Sequence, residues 1–211
     1  MSKAARRPSR PAIAAGFTLI EVLITLFITA VGLLSVAGLQ ALSSKVGYDA
    51  VQRTTATALA QAIIQQMRAN PEQRSAYYTD DATLLPAATD CSASDASCSG
   101  EQIAAHDLYR WGQLLLGTEA TDSDDNPVGG LIAPTGCISL DATTGLQVVT
   151  IAWRGITSLP PPDASVPDNA PERSSCGASK ADYDDPDSSG NDHRLRRVLQ
   201  LRVFVTNPYA L

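Results

Sequence analysis

The residues with the clearest chemistry in this chain are four cysteines: Cys91, Cys98, Cys137 and Cys176. An even number of cysteines indicates disulfide bonds if this part of the chain lies in an oxidising compartment. Four cysteines allow three pairings. We favour Cys91 with Cys98, which closes a short serine-rich loop, and Cys137 with Cys176, which ties a long insertion to a strand. Zinc is the weaker alternative, because there is no C-x-x-C spacing in the chain.

The two histidines, His106 and His193, offer little for catalysis. His106 falls on a predicted helix and His193 in an acidic loop, and neither is spaced with the cysteines as a metal ligand. The chain contains no H-E-x-x-H, no G-x-S-x-G and no glycine-rich phosphate loop. We therefore predict that the protein is not an enzyme, has no cofactor and acts on no small-molecule substrate.

The acidic run at residues 122–126 partly resembles a calcium loop, with oxygen donors at alternate positions. Pro127 stands where an EF-hand loop needs glycine, and Ala133 stands where it needs the bidentate glutamate. A solvated acidic loop is the better interpretation of this run and of residues 182–187. We assign no metal ligand to either.

Glu21 is the single charged residue in an apolar stretch at residues 17–42. About 20 apolar residues are enough to cross ~30 Å of hydrocarbon, so this stretch can span a bilayer. A carboxylate within the bilayer costs on the order of 2 to 3 kcal/mol unless it has a partner. No basic residue between Phe17 and Ser44 can be that partner. We expect a cationic group from another chain, or a newly formed amino terminus, to neutralise Glu21.

The charges of the 211-residue chain are distributed unevenly. Four basic residues and no acid lie in residues 1–16, which places this end on the cytoplasmic side and the rest in the periplasm. The net charge of −6 disfavours direct nucleic-acid binding. With 44% hydrophobic and 18% charged residues, the chain can build one folded domain.

The first element that must position these residues is a long helix. No proline interrupts residues 12–70. We predict a helix over residues 17–70, hydrophobic all round in residues 17–42 and amphipathic in residues 43–70. The apolar face of the second half is set by residues three and four apart: Ala56, Leu59, Ala60, Ile63 and Met67.

The remaining residues, 71–211, are predicted to form an α+β head, with the long helix packed on a small antiparallel sheet. Ser99 and Gln102 resemble a capping box, which predicts a short helix at 101–116. Patterns of alternating or continuous apolar residues predict three strands, at 137–140, 147–153 and 196–206. Between the last two lies a stretch rich in Pro, Ser and Asp at 155–192, which we interpret as a surface excursion.

The junction of Gly16 with residues 17–21, FTLIE, resembles the class III leader junction of type IV pilins and pseudopilins. The resemblance implies that a prepilin peptidase removes a leader, residues 1–16, by cutting after Gly16, and then methylates the new amino group of Phe17. It also implies that Glu21 pairs with the amino terminus of a neighbouring subunit when the helix enters a filament.

Segments of the head resemble the type IV pilus modification (PilV) family of minor pilins. They are residues 107–111, DLYRW; 134–138, PTGCI; 148–153, VVTIAW; and 196–199, RRVL. This resemblance implies a minor pilin that joins other minor pilins and the major pilin in a complex that initiates pilus assembly. It implies a single-pass inner-membrane protein that later reaches the cell-surface pilus, near the filament tip.

Other interpretations stay open. One is a minor pseudopilin of a type II secretion system. Another is a membrane-anchored binding domain that never polymerises, for which Gly16 would stay uncut and Glu21 would be dispensable. The sequence also leaves open whether the pilus serves twitching motility, cell adhesion or DNA uptake.

Overall fold

The structure is a computed structural model that describes residues 16–93, 97–118, 121–124, 126–160, 165–188 and 192–206. The chain divides into two compact units, Met1–Ser44 and Lys45–Leu211. Helix α1 (Leu19–Ala69) contributes to both. No proline interrupts it, and it ends at the Asn70-Pro71 pair, where proline opens a 3-10 turn. The predicted helix at 17–70 is therefore confirmed to within two residues at each end.

The second helix, α2 (Gly100–Leu116), begins and ends at local signals in the sequence. Ser99 Oγ accepts a hydrogen bond from the Gln102 N–H at 3.3 Å, and Gln102 Oε1 accepts one from the Ser99 N–H at 2.8 Å. This pair is the predicted capping box. The helix ends at Gly117, whose φ of 76° lies in the left-handed region that glycine tolerates best.

Three strands form one antiparallel sheet in the order β1-β2-β3: β1 (Thr135–Leu140), β2 (Gln147–Arg154) and β3 (Arg196–Val203). The Asp141 carboxylate accepts a hydrogen bond from the Thr143 N–H at 2.9 Å, which stabilises the turn between β1 and β2. Strand β3 ends at Val203, three residues before the predicted end. The α+β prediction, a long apolar helix with a small antiparallel sheet, is confirmed.

One face of the sheet packs on the helices and is called the helix face. Its core residues are Ile138, Val149 and Ile151, each no more than 1% exposed. They pack with Ala56, Ala60, Ile63 and Met67 of α1 and with Leu108, Trp111 and Leu115 of α2. A Cβ at Gly136 would lie 2.6 Å from Leu115 and 2.8 Å from the Trp111 ring, so α2 can approach β1 only because this residue is glycine.

The opposite face of the sheet, called the excursion face, is covered in part by residues of the 155–192 stretch. Tyr183 is fully buried there, and its hydroxyl lies 2.9 Å from Thr135 Oγ1 and donates to the Ala133 carbonyl at 2.9 Å. Arg196 Nη2 donates to the carbonyls of Ser174 and Cys176, both at 2.6 Å. The stretch expected to be a surface excursion is therefore also a packing element. Its 3-10 turns are Pro171–Arg173 and Ala181–Tyr183; two others, Pro71–Tyr77 and Ala82–Leu84, lie between α1 and α2.

Candidate functional site

The predicted processing and assembly residues lie at the start of α1. Thr18 precedes the helix, and its carbonyl accepts hydrogen bonds from the N–H groups of Glu21 at 3.1 Å and Val22 at 3.3 Å. Its hydroxyl also accepts from the Glu21 N–H at 3.3 Å. Gly16 and Phe17 precede this turn, and Phe17 is 85% exposed. The junction is thus an exposed extended segment followed directly by a capped helix.

Glu21 lies in the first turn of α1, where the unpaired N–H groups of a helix favour a negative charge. In the described part of the chain its carboxylate makes no hydrogen bond or ion pair, and it is exposed. The nearest basic residue that follows it in the sequence is Lys45, beyond the apolar stretch. The structure therefore leaves Glu21 available for a cation from outside this chain.

The apolar part of α1 is uncovered. Every described residue from Gly16 to Ser44 is exposed, and within α1 the exposed fraction of Leu19 is 78% and that of Phe27 is 71%. The helix contains an 18-residue window with a mean hydropathy of 2.4, long and apolar enough to cross a membrane. Exposure of such a large apolar surface to water is unfavourable, so lipid or other helices must cover it.

The part of α1 in the second unit is held by polar contacts as well as by its apolar face. Gln52 is only 5% exposed, although its side chain is polar. Its amide donates to the Gly130 carbonyl at 3.4 Å and accepts from the Ile132 N–H at 3.2 Å. Asp49 accepts from the Ile156 N–H at 3.2 Å and lies 3.7 Å from Arg197 Nη2. These side chains join the helix to backbone that the sequence placed in loops.

The four cysteines form two disulfides, Cys91 with Cys98 and Cys137 with Cys176, which is the pairing favoured from the sequence. The first closes a loop of seven residues beside α2. The second spans 39 residues and ties the 155–192 stretch to β1. Neither pair is available as a metal ligand.

The two histidines lie apart, and each is next to one carboxylate. His106 Nε2 is 3.5 Å from Asp90 Oδ1, and His193 Nδ1 is 3.4 Å from Asp184 Oδ1. Within the described ranges, no group of three or more His, Cys, Asp or Glu side chains is placed to hold a metal ion. The His106 side chain is 15% exposed and that of His193 is 30% exposed, so both rings are partly buried in the head.

The acidic run at 122–126 uses its carboxylate within its own turn. Asp122 Oδ1 accepts hydrogen bonds from the N–H groups of Asn126 at 3.0 Å and Asp124 at 2.9 Å. These bonds, with that to Asn126 the larger contribution, lower the pKa of the Asp122 carboxyl. The Asp122 carboxylate is therefore engaged in stabilising this turn.

A polar pair at the edge of the core, Tyr77 with Asp107, was not predicted from the sequence. The Tyr77 hydroxyl donates to Asp107 Oδ2 at 2.6 Å, between the first 3-10 turn and α2. Burial raises the pKa of the Asp107 carboxyl, although the hydrogen bond from Tyr77 and the charges of His106 and Arg110 oppose the shift. Burial is also the main reason that the pKa of Tyr77 is raised. Asp107 lies in α2 four residues before the buried Trp111, but nothing local in the sequence indicates Tyr77 as its partner.

Two family models match parts of this chain, and the first covers the start of α1. Residues 13–37 match the family model described as the prokaryotic N-terminal methylation motif. That match includes Gly16, Phe17 and Glu21 and defines the class: a chain whose N-terminal helix carries the methylation motif of pilin-like proteins.

A second family model covers the next part of the chain. Residues 38–109 match Tt1218-like, described as type IV pilin Tt1218. The two matches together support a type IV pilin of the Tt1218-like family with an N-methylation motif, and the apolar helix with a three-stranded sheet is consistent with the type IV pilin fold. The chain matches no curated protein and no solved structure.

Proposed function

We propose that this protein is a minor type IV pilin that helps to initiate pilus assembly and is then incorporated into the filament near its tip. One observation carries the proposal. The methylation motif leads directly into the apolar half of α1, which is exposed at every described residue up to Ser44, and Glu21 in its first turn has no partner among the described residues. Lipid must cover such a helix while the protein is in the membrane, and other helices must cover it once the protein is in a filament.

Processing comes first in this proposal. A prepilin peptidase removes residues 1–16 at the inner membrane by cutting after Gly16, and the amino group of Phe17 is methylated. The exposure of both residues ahead of the first helical turn supports access by a peptidase. Residues 17–42 then anchor the chain in the membrane, residues 43–70 carry the head, and the head, 71–211, faces the periplasm.

Assembly follows from the charge on Glu21. In a filament, the Glu21 carboxylate pairs with the N-terminal amine of a neighbouring minor or major pilin, so that both charges leave the bilayer together. The apolar surface of α1 packs in the helical bundle, while the head displays its own surface. The role is structural, and no reaction is assigned to the protein.

The finer assignment is to the type IV pilus modification (PilV) family. It is supported by the four matching segments of the head, which the structure gathers in one core. Trp111 of the DLYRW segment and Trp153 of VVTIAW are 1% and 3% exposed, and both belong to the cluster between helices and sheet. Residues of the segments that resemble the family therefore contribute to the core of the head.

The first experiment is mass spectrometry of the N-terminal peptide in two fractions, sheared filaments and inner membrane. We expect a methylated Phe17 terminus in sheared filaments, at far lower abundance than the major pilin. An intact N-terminus confined to membranes would contradict processing and leave an anchored binding domain. A processed terminus that is absent from filaments would favour a secretion pseudopilin.

The second experiment tests the carboxylate. Glu21→Ala and Glu21→Gln should stay folded and membrane-bound but enter filaments poorly, because each removes the charge that pairs with a neighbour. Gln40→Ala, which removes a polar group from the same apolar stretch, is the matched control and should enter filaments normally. Equal incorporation of the Glu21 variants and wild type would refute the pairing.

A further inference from the structure

A polar pocket of about 410 Å³ lies on the excursion face of the sheet. Its floor is a row of register partners, one from each strand: Cys137 of β1, Thr150 of β2 and Gln200 of β3. Gln200 Nε2 donates to Thr150 Oγ1 at 3.3 Å. The floor is therefore set by the sheet, which is the most regular part of the head.

The walls of the pocket are residues 79–81 on one side and 174–180 on the other. The Cys137–Cys176 disulfide joins the second wall to the floor. Lys180 Nζ, 2.9 Å from Asp81 Oδ2, joins the two walls, and it also donates to the Pro134 carbonyl at 3.2 Å. The pocket is thus held open by a covalent bond and an ion pair, and a ligand would not need to order it first.

The lining offers hydrogen-bonding groups that the described part of the head does not use. The hydroxyls of Ser139, Ser175 and Ser179 and the carboxylate of Asp80 make no hydrogen bond within it. Hydroxyls both donate and accept, and a carboxylate accepts from two donors at once. Leu84, which also lines the pocket and is 77% exposed, adds an apolar contact.

We propose that this pocket binds one sugar unit of a glycan. A sugar is neutral, carries neighbouring hydroxyls that match those of the lining, and has C–H faces that suit Leu84. The volume lies within the range of about 300 to 1,000 Å³ typical of small-ligand sites. This function goes beyond filament assembly, and it adds a ligand where the sequence indicated no small-molecule substrate.

The charges of the pocket argue against a basic side chain of a partner protein. The Asp81 charge is paired with Lys180, so Asp80 is the one carboxylate left for a cation. An arginine or lysine entering here would meet the Lys180 ammonium and several neutral hydroxyls. A neutral polyhydroxylated ligand avoids that repulsion and satisfies more of the lining.

The test is saturation-transfer NMR on the purified full-length protein in a zwitterionic detergent that has no sugar headgroup. The probes are glucose, galactose, mannose, N-acetylglucosamine and N-acetylgalactosamine, with lysine amide as the cationic probe. We expect at least one sugar to give a saturable signal with a millimolar dissociation constant. Because no pilus is needed, this result is independent of the assembly experiments.

The double variant Asp80→Asn/Ser139→Ala should bind that sugar at least about tenfold more weakly, since it changes two unused polar groups of the pocket. Both residues are exposed, so the fold should be unaffected. The matched control is Asp124→Asn/Ser123→Ala, which changes the same residue types in an exposed turn outside the pocket and should bind like wild type. The proposal is wrong if no sugar gives a saturable signal, if the pocket variant binds like wild type, or if lysine amide binds more tightly than every sugar.

Discussion

The two faces of the β-sheet are stabilised in different ways. The helix face is a continuous apolar layer in which β1 and β2 pack on α1 and α2. The excursion face holds Thr135, Thr150 and Gln200, and what covers it is a stretch with no helix longer than a 3-10 turn in its described residues. That cover is attached by the Cys137–Cys176 disulfide and by side-chain hydrogen bonds to backbone. One face relies on buried area, and the other on a few specific bonds.

The difference has a functional side. An apolar face that is filled by packed side chains has no room for a ligand, because interiors are close-packed. A cover held at a few points leaves gaps between them, and the polar pocket lies in such a gap. The helix face therefore serves stability and the display of the head, and the excursion face is where a binding function can develop.

The largest effect should come from removing the bond that attaches the cover. Cys137→Ser/Cys176→Ser should lower the free energy of unfolding by about 4 kcal/mol, because the disulfide closes a loop of 39 residues. Cys91→Ser/Cys98→Ser, which opens a seven-residue loop, should lower it by about 2.5 kcal/mol. Urea unfolding of the full-length protein, followed by tryptophan fluorescence, measures both. Equal losses would show that loop length does not set the contribution.

Adjacent residues of β2 allow the two faces to be compared directly. Ile151 is fully buried on the helix face. Ile151→Ala should lower the free energy of unfolding by about 3 kcal/mol, because a cavity remains in the core. Thr150 is 4% exposed on the excursion face. Thr150→Ala should lower the free energy of unfolding by about 1 kcal/mol, since it removes one hydrogen bond from Gln200. The same unfolding assay checks the pair. A larger loss at Thr150 would reverse the comparison.

The Tyr183 hydroxyl is the next strongest contact of the cover. Tyr183→Phe should lower the free energy of unfolding by about 1.5 kcal/mol, because Thr135 Oγ1 and the Ala133 carbonyl both lose a partner while the ring stays buried. Tyr109→Phe, on the half-buried side of α2 with no described hydrogen bond from its hydroxyl, is the control and should be close to neutral. If Tyr183→Phe leaves the free energy of unfolding unchanged, burial of the ring alone holds the 155–192 stretch on the sheet.

The smallest effect concerns pH and the carboxylate beside the helix-face core. Because burial raises the pKa of Asp107 in the folded protein, its contribution to stability is present below the unfolded pKa of about 3.9 and is lost as pH rises through the folded pKa. Asp107→Asn should therefore become more stable relative to wild type as the pH rises from about 3 to about 7.

Asp122→Asn is the matched control with the opposite sign. Backbone hydrogen bonds lower the pKa of Asp122, so its stabilising contribution is present above the unfolded pKa and is lost as pH falls through the folded one. This variant should lose stability relative to wild type as pH rises to neutral. Thermal unfolding midpoints at the two pH values test both, and shifts of the same sign in the two variants would contradict the assignment.

Much of the fold could be predicted because its signals are local. The capping box at Ser99, the proline after Asn70 and the turn at Asp141 each act within a few residues. The helical spacing of Ala56, Ala60 and their neighbours marked a face of α1 that the structure buries. The signal for the candidate site at Gly16, Phe17 and Glu21 is equally local, since it is a short motif, and the processing of this site stays a prediction.

What failed or was missed involves contacts between distant residues. Gln52 is a polar residue whose amide forms hydrogen bonds with backbone groups 78 and 80 residues away, and no local pattern indicates these partners. Tyr183 lies in a stretch whose composition indicates a loop. Composition alone does not show that this one ring is buried against the sheet.

The sequence by itself determined the apolar helix with its single carboxylate, the helix and strand positions, and an even set of cysteines. Those features depend on residue type and on neighbours within a turn or two. Only the tertiary structure decided which stretch covers the second face of the sheet, that Asp107 meets Tyr77 from 30 residues away, and that three strands and two walls enclose a polar pocket. Such contacts depend on how whole elements pack, and many distant pairings are compatible with the same local patterns.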